Sequence, residues 1–236
     1  MTEKYRKRGF GRRTAFAVLE DLHKDCTTLG GDINPELRSM YESAGAQTVW
    51  NTYTALADFD TIVKNIAETD LPLRIAAKYV DSKILDKMLA YDTSVFGTQR
   101  QIFMEKWIGA PGSFGLAAVD ENSDDIVGYA VLRLIIRYGG TELGMAMAPL
   151  YADNVSIAKL LLRAAAQECI ANRAVPKTRL QLLYPVGDNC GVHAAQLMED
   201  LEAEVYFEAH RVYNKGHIPS GRKLEKIYGI TSTTFD

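Results

Sequence analysis

Arg6-Lys7-Arg8-Gly9-Phe10-Gly11-Arg12-Arg13 stands near the start of the 236-residue chain and runs into a stretch of helical spacing, Ala15, Phe16, Leu19 and Leu22. That spacing predicts a helix over about residues 12–24. Glycines at positions 9 and 11 let the backbone approach an anion closely and take up positive φ, while the free N–H groups at the start of the next helix supply donors. Lys4, Arg6, Lys7, Arg8, Arg12 and Arg13 add cations suited to phosphate. Two other readings of the run stay open: a nucleic-acid or nuclear-localisation arm, and a solvated charged terminus.

Outward from this loop, residues 26–32 read as a short strand. Asn34-Pro35-Glu36 then has the form of a helix start, an Asn cap with Pro in the first turn, and Gly45 the form of a stop. Between them Leu37, Met40, Tyr41 and Ala44 make a helical stripe, and residues 48–55, with Val49, Trp50 and Tyr53, alternate as a strand does. Residues 59–71 read as a polar connector holding a short helix near Ile62–Ile66. After Pro72 come a strand over residues 73–80, a helix carrying Ile84, Leu85, Met88 and Leu89, and another carrying Phe103 and Trp107, which Pro111-Gly112 ends. Residues 114–119 and 126–137, joined by Asp120-Glu121-Asn122-Ser123-Asp124, predict a hairpin whose second arm is apolar on both faces, as a central strand is. A strand over 141–147, a turn at residues 149–154, a long helix with Ile157, Leu160, Leu161 and Ala164, and a strand over 178–184 complete the reading.

The first loop, Arg6-x-x-Gly9-x-Gly11, resembles the acetyl-CoA pyrophosphate loop of GNAT acetyltransferases, and Asn34 through Gly45 resembles the segment that follows it there, with Leu37 and Ala46 departing from that pattern. Asp92 to Arg100, Val127-Gly128-Tyr129, Ala148 to Asp153 and Tyr228 to Ser232 resemble the YitH/HolE-type GNAT domain of tandem acetyltransferases. The resemblance implies an α+β fold, a central mixed, mostly antiparallel sheet flanked by helices. It divides the chain into residues 1–58, the second half of a GNAT domain lacking the four strands that precede its loop, a connector at 59–71, and a complete YitH/HolE-type domain at 72–236. It also implies acetyl-CoA as co-substrate and a small-molecule or peptide amine as acceptor, with the coenzyme on Arg6, Lys7, Arg8, Gly9, Phe10, Gly11, Arg12, Arg13 and Asn34.

Tyr41 stands where many GNAT enzymes protonate the departing thiolate; the alternative is a tyrosine on the buried face of its helix. The second half repeats the Asn-led helix and strand but carries Met198 in the tyrosine's place, and Tyr151-Ala152-Asp153-Asn154 in place of the glycine loop. There Asp153 reads as a helix cap, and the second domain is expected to be poor at holding coenzyme. A non-catalytic acyl-CoA or metabolite-binding module is the alternative reading. Cys190 and His193 could face one another at a helix start, as a capping turn or as a nucleophile pair. The strand at 26–32 would need its edge covered by the second domain or by another copy of the chain, and residues 1–58 alone are expected to be unstable.

Composition excludes other classes. With 47% hydrophobic and 24% charged residues the chain is ordinary for a globular protein, and a net charge of -3 argues against wholesale nucleic-acid binding. No apolar run approaches the ~20 residues of a membrane span, and the Arg-rich start lacks the apolar core of a signal peptide. Cys26, Cys169 and Cys190 show no metal-ligand spacing with His23, His193, His210 or His217, which points to a reducing cytoplasm and no metal.

Overall fold

Alternation and apolar runs become one nine-stranded sheet with helices on both faces. The computed structural model describes residues 8–11, 13–14, 17, 30–68, 70–77, 82–136, 143–171, 179–188, 190–214 and 218–232. In chain order the elements are β1 (Gly30–Ile33), α1 (Arg38–Ser43), β2 (Ala46–Ala57), α2 (Phe59–Asn65), β3 (Leu73–Ala77), α3 (Ser82–Phe96), α4 (Gln101–Gly109), β4 (Ser113–Asp120) and β5 (Ile126–Ile136). They continue with β6 (Leu143–Ala152), α5 (Val155–Ala171), β7 (Leu180–Val186), α6 (Val192–Asp200), β8 (Glu204–Asn214) and β9 (Ile227–Gly229). The helix expected over residues 12–24 lies largely outside the described residues, as do residues 26–29 of the first strand.

Strand order is β1-β8-β2-β7-β6-β5-β4-β3, with β9 paired to β6. All pairings are antiparallel except β6 with β7. Central β5 is buried on both faces: Ala130 and Leu132 join the core under α5 and α6, while Tyr129 and Val131 join the core under α3 and α4. On α5, Ala158, Ala165 and Ala166 are fully buried, so the helix lies close against the sheet. The mixed α+β architecture read from the sequence is therefore the one observed.

Two strand–helix–strand units, β1-α1-β2 and β7-α6-β8, interleave in this sheet. Each helix ends in two residues of which the second has positive φ, Gly45 at 89° and Glu202 at 53°. Their long strands β2 and β8 lie side by side, and each short strand pairs with the other unit's long strand, Ile33 opposite His210 and Tyr184 opposite Tyr53. A buried ion pair fastens the exchange. Arg211 on β8 meets Asp32 on β1 at 3.1 Å, both side chains being almost wholly buried, and Thr52 on β2 donates to the same carboxylate at 2.8 Å. One edge of β1 is thus covered by β8, from the second half.

Two local expectations need correction. The segment 149–152 is not a turn: β6 runs through Pro149 to Ala152. Proline fits because β7 has left β6 after Met147 and the β5 ladder shifts register between Ala130 and Leu132, so no backbone donor is missed there. The stripe Leu37, Met40, Tyr41 does form on a 3-10 turn and α1, but it is exposed, not packed.

Candidate functional site

The glycine loop turns as its residues require. Gly9 has φ of +75°, and among the described residues no atom lies within 4 Å of where a side chain would begin. Helical backbone starts at Phe10, closed by the Arg13 N–H on the Gly9 carbonyl at 3.0 Å and by the Thr14 hydroxyl on the Phe10 carbonyl at 3.1 Å. The guanidinium groups of Arg8 and Arg13 lie 5.3 and 5.9 Å from the centre of the Phe10 ring, so the aromatic side chain gathers two cations beside the glycine turn. All the described loop residues are exposed. Arg6, Lys7 and Arg12 lie outside the described residues. Asn34 accepts from the Glu36 N–H at 2.9 Å, which makes it the cap of its helical turn, and Tyr41 lies on α1 at 37% exposure. The alternative reading of Tyr41, a buried core residue, is excluded.

The second turn of interest joins β6 to α5, and its helix start is already satisfied. Asn154, not Asp153, caps α5, its side chain accepting from the Ile157 N–H at 3.1 Å. Asp153 instead holds Tyr91 at 2.8 Å and Lys226 at 2.7 Å, the Lys226 ammonium having been carried there by the 3-10 turn Leu224–Lys226. Burial first, and the Asp153 carboxylate next, raise the Tyr91 phenol far above its ordinary range, so it stays a donor.

Behind this turn lies a buried polar network that the sequence reading did not find. Arg100 forks onto Asp92 with bonds of 2.9 and 2.8 Å and donates to the Tyr151 hydroxyl at 3.1 Å, while the Tyr129 hydroxyl also donates to Asp92. Arg100 also stacks on Phe96, 3.8 Å from the ring centre. Burial, then the Asp92 charge, pushes the Tyr129 phenol up. The carboxylate is fully engaged and closed to solvent, so the network ties α3 and α4 to β5 and β6. Its signal was the pairing of Asp92 with Arg100 at the two ends of a bend between helices.

A cleft of about 250 Å³ lies at the start of α6, lined by Asp188, Cys190, His193, Glu225 and Tyr228 among others. Its turn is tight: Gly191 has φ of +75°, and a side chain there would run into the Pro185 carbonyl. Burial, with Asp188 nearby, pushes the Cys190 thiol up to about 11, which keeps it protonated and unsuited to nucleophilic attack. Cys190 directly precedes Gly191, the cap of α6, and His193 lies in the first turn of that helix. Among the described residues no group of three or more His, Cys, Asp or Glu could hold a metal, and no helix is long and apolar enough to cross a membrane.

A family model described as "Acetyltransferase (GNAT) domain" matches residues 88–229, from within α3 to the end of β9. The chain belongs to the GNAT acetyltransferase family. Solved structures share its fold. A putative acetyltransferase from Pyrococcus horikoshii aligns with a TM-score of 0.73 at 16% identity, over 99% of this chain and 69% of that one. A tandem GNAT protein from the clavulanic acid biosynthesis pathway aligns at 0.62 and 14% identity, over 91% and 72%. A GCN5-related N-acetyltransferase from Sphaerobacter thermophilus aligns at 0.58 and 16%, over 94% and 73%. A comparison with curated proteins finds no match.

Proposed function

We propose that this protein is an acetyl-CoA-dependent N-acyltransferase of tandem GNAT organisation, with the pyrophosphate of the coenzyme on residues 6–13 and an amine as acceptor. The observation that carries the reading is the open turn at Gly9. It offers space, positive φ, a helix start and two gathered guanidinium groups, where the equivalent turn at 152–154 offers a carboxylate and a finished cap. Acetyl-CoA brings the acyl group as a thioester, which a neutral amine attacks. Arg8 and Arg13, with Arg6, Lys7 and Arg12 beside them in sequence, hold the phosphates and so position the thioester. As the C–N bond forms and the C–S bond breaks, Tyr41, exposed on α1, is the proton donor to the leaving thiolate, and the proton lost by the amine nitrogen passes to water and restores the Tyr41 phenol.

In this reading residues 1–58 are the second half of one GNAT unit, 59–71 its connector, and 72–236 a YitH/HolE-type unit. The interleaving of β1 and β2 with β7 and β8 supports a repeat of two related units. The module alternative, with ligand binding in the second unit, is disfavoured because that unit's turn is filled. Calorimetric titration with acetyl-CoA tests the proposal, with Arg8→Ala/Gly9→Asp/Gly11→Asp as control. Binding that the variant abolishes supports it and opens an acceptor screen by thiol release. Absence of binding at millimolar coenzyme overturns it.

A further inference from the structure

Two parallel strands that diverge leave their facing N–H and C=O groups without ladder partners, and a groove of that kind takes an extended ligand or must be closed. Here β6 and β7 pair only from Met145 opposite Leu180 to Met147 opposite Leu182, and then separate. Into the gap comes β9. Gly229 lies opposite Leu150 and Ile227 opposite Tyr151 on the β6 side, and the Ile230 N–H donates to the Leu183 carbonyl of β7 at 2.8 Å. The fit is close: a side chain at 229 would begin 3.2 Å from Leu150 Cβ and 3.6 Å from the Leu183 carbonyl oxygen, so Leu150 would have to give way by a few tenths of an ångström. Tyr228 is buried with the α5–α6 core, Ile227 and Ile230 with the α3–α4 core, so the segment is seated on both faces of the sheet.

We propose that residues 224–231 are a built-in occupant of the groove between β6 and β7. The strap replaces an extended, anion-ended ligand and leaves this half of the chain without an acyl-coenzyme site. Each part of such a ligand has a substitute in the chain. The β9 backbone supplies the hydrogen bonds along the groove, and the Asp153 carboxylate supplies the negative group at the start of α5. Lys226, from the strap itself, neutralises that carboxylate. On the other edge of β7 the place is taken by β2, between β7 and β8, and β9 pairs with β6. Strand exchange between the two halves and closure of the second groove are thus two aspects of one arrangement.

Hydrogen exchange on the full chain tests this, with and without millimolar acetyl-CoA, in the natural sequence and in the Arg8→Ala/Gly9→Asp/Gly11→Asp variant. Amides at 150–153 and 227–230 are expected to exchange slowly without coenzyme and to be unchanged by it in both proteins. A coenzyme-dependent change at either segment in the loop variant overturns the proposal. So does fast exchange at 227–230 in the natural sequence. Failure of the acetyltransferase reading appears elsewhere, as no coenzyme response at residues 8–17, and leaves these expectations standing. In Gly229→Val, exchange at 150–151 and 227–230 should rise at least about tenfold while the centres of α3 and α5 stay slow. An unchanged rate there overturns the seated strap, and if that variant does not fold, the natural sequence decides.

Discussion

The turn at Gly9 and the turn at residues 152–154 both feed helices, and they differ in what the helix start still lacks. At Gly9 the backbone turns at positive φ, no atom of the described residues lies within 4 Å of where a side chain would begin, and the guanidinium groups of Arg8 and Arg13 stand beside the Phe10 ring. At residues 152–154 the helix is capped by Asn154, and Asp153 is held between Tyr91 and Lys226. A helix start that carries its own cap and a neutralised carboxylate has little left for an anion; one with glycine and arginine does. The two strand–helix–strand units differ in the same direction. Ala194, Leu197 and Met198 of α6 are buried, at 1, 0 and 2% exposure, whereas Leu37, Met40 and Tyr41 at α1 are 43, 45 and 37% exposed. The second half is finished within the sheet, and the first presents its surface outward.

The strongest way to break this contrast is to cut the tie between the halves. Asp32→Ala leaves Arg211 charged and buried without its carboxylate and should cost about 3–5 kcal/mol in urea unfolding. A loss below about 1 kcal/mol would mean that β1 is not held by the exchange. Gly229→Val forces a branched side chain against Leu150 and should cost about 1–3 kcal/mol by overpacking, read in the same titration. Asp153→Ala removes the carboxylate of Lys226 and one of the two acceptors of Tyr91, the other being the Val127 carbonyl, and should cost about 1–2 kcal/mol. If it costs nothing, the turn at 152–154 is not the closed member of the pair.

A pH series sharpens the picture of the finished half. Cys169 is pushed up to about 12 by burial, with Glu168 nearby, and Cys190 to about 11. Because the folded state raises both thiol pKa values above the unfolded ~8.5, their contribution is fully present below that pH and is lost as pH rises through about 11 and 12. Thermal melts should therefore decline in alkali, less steeply in Cys169→Ala and Cys190→Ala relative to their own neutral values. The smallest effect on stability belongs to the open turn. Arg8→Ala/Gly9→Asp/Gly11→Asp should shift unfolding by about 1 kcal/mol, the cost of a side chain at the positive φ of residue 9 in an otherwise exposed loop, while abolishing coenzyme binding in calorimetry.

Most elements were legible because each carried its own period: the double-apolar run at 126–136, the alanine-rich stripe of α5, and the Asn34 cap and Gly45 stop around α1. Pro149 misled, since proline normally breaks a central strand, and only the departure of β7 explains its place. Asp153 misled in the same way. Local rules made it a cap, but Lys226, distant in sequence, takes its carboxylate. Tyr91 carried no readable signal, because burial supplies its role, and the Asp92–Arg100 fork carried only two opposite charges spaced across the bend between α3 and α4.

By itself the sequence determined the strands and helices, their order, and the glycine–arginine turn at residues 8–13, since periodicity, capping and backbone freedom act within a few residues. Tertiary structure alone decided that β2 lies between β7 and β8, that β9 fills the gap beside β6, and that one turn is closed while the other stays open. Those outcomes depend on which unpaired backbone groups meet across the sheet, and that is fixed by contacts between residues far apart in the chain, such as Asp32 with Arg211, Tyr53 with Tyr184 and Leu150 with Gly229.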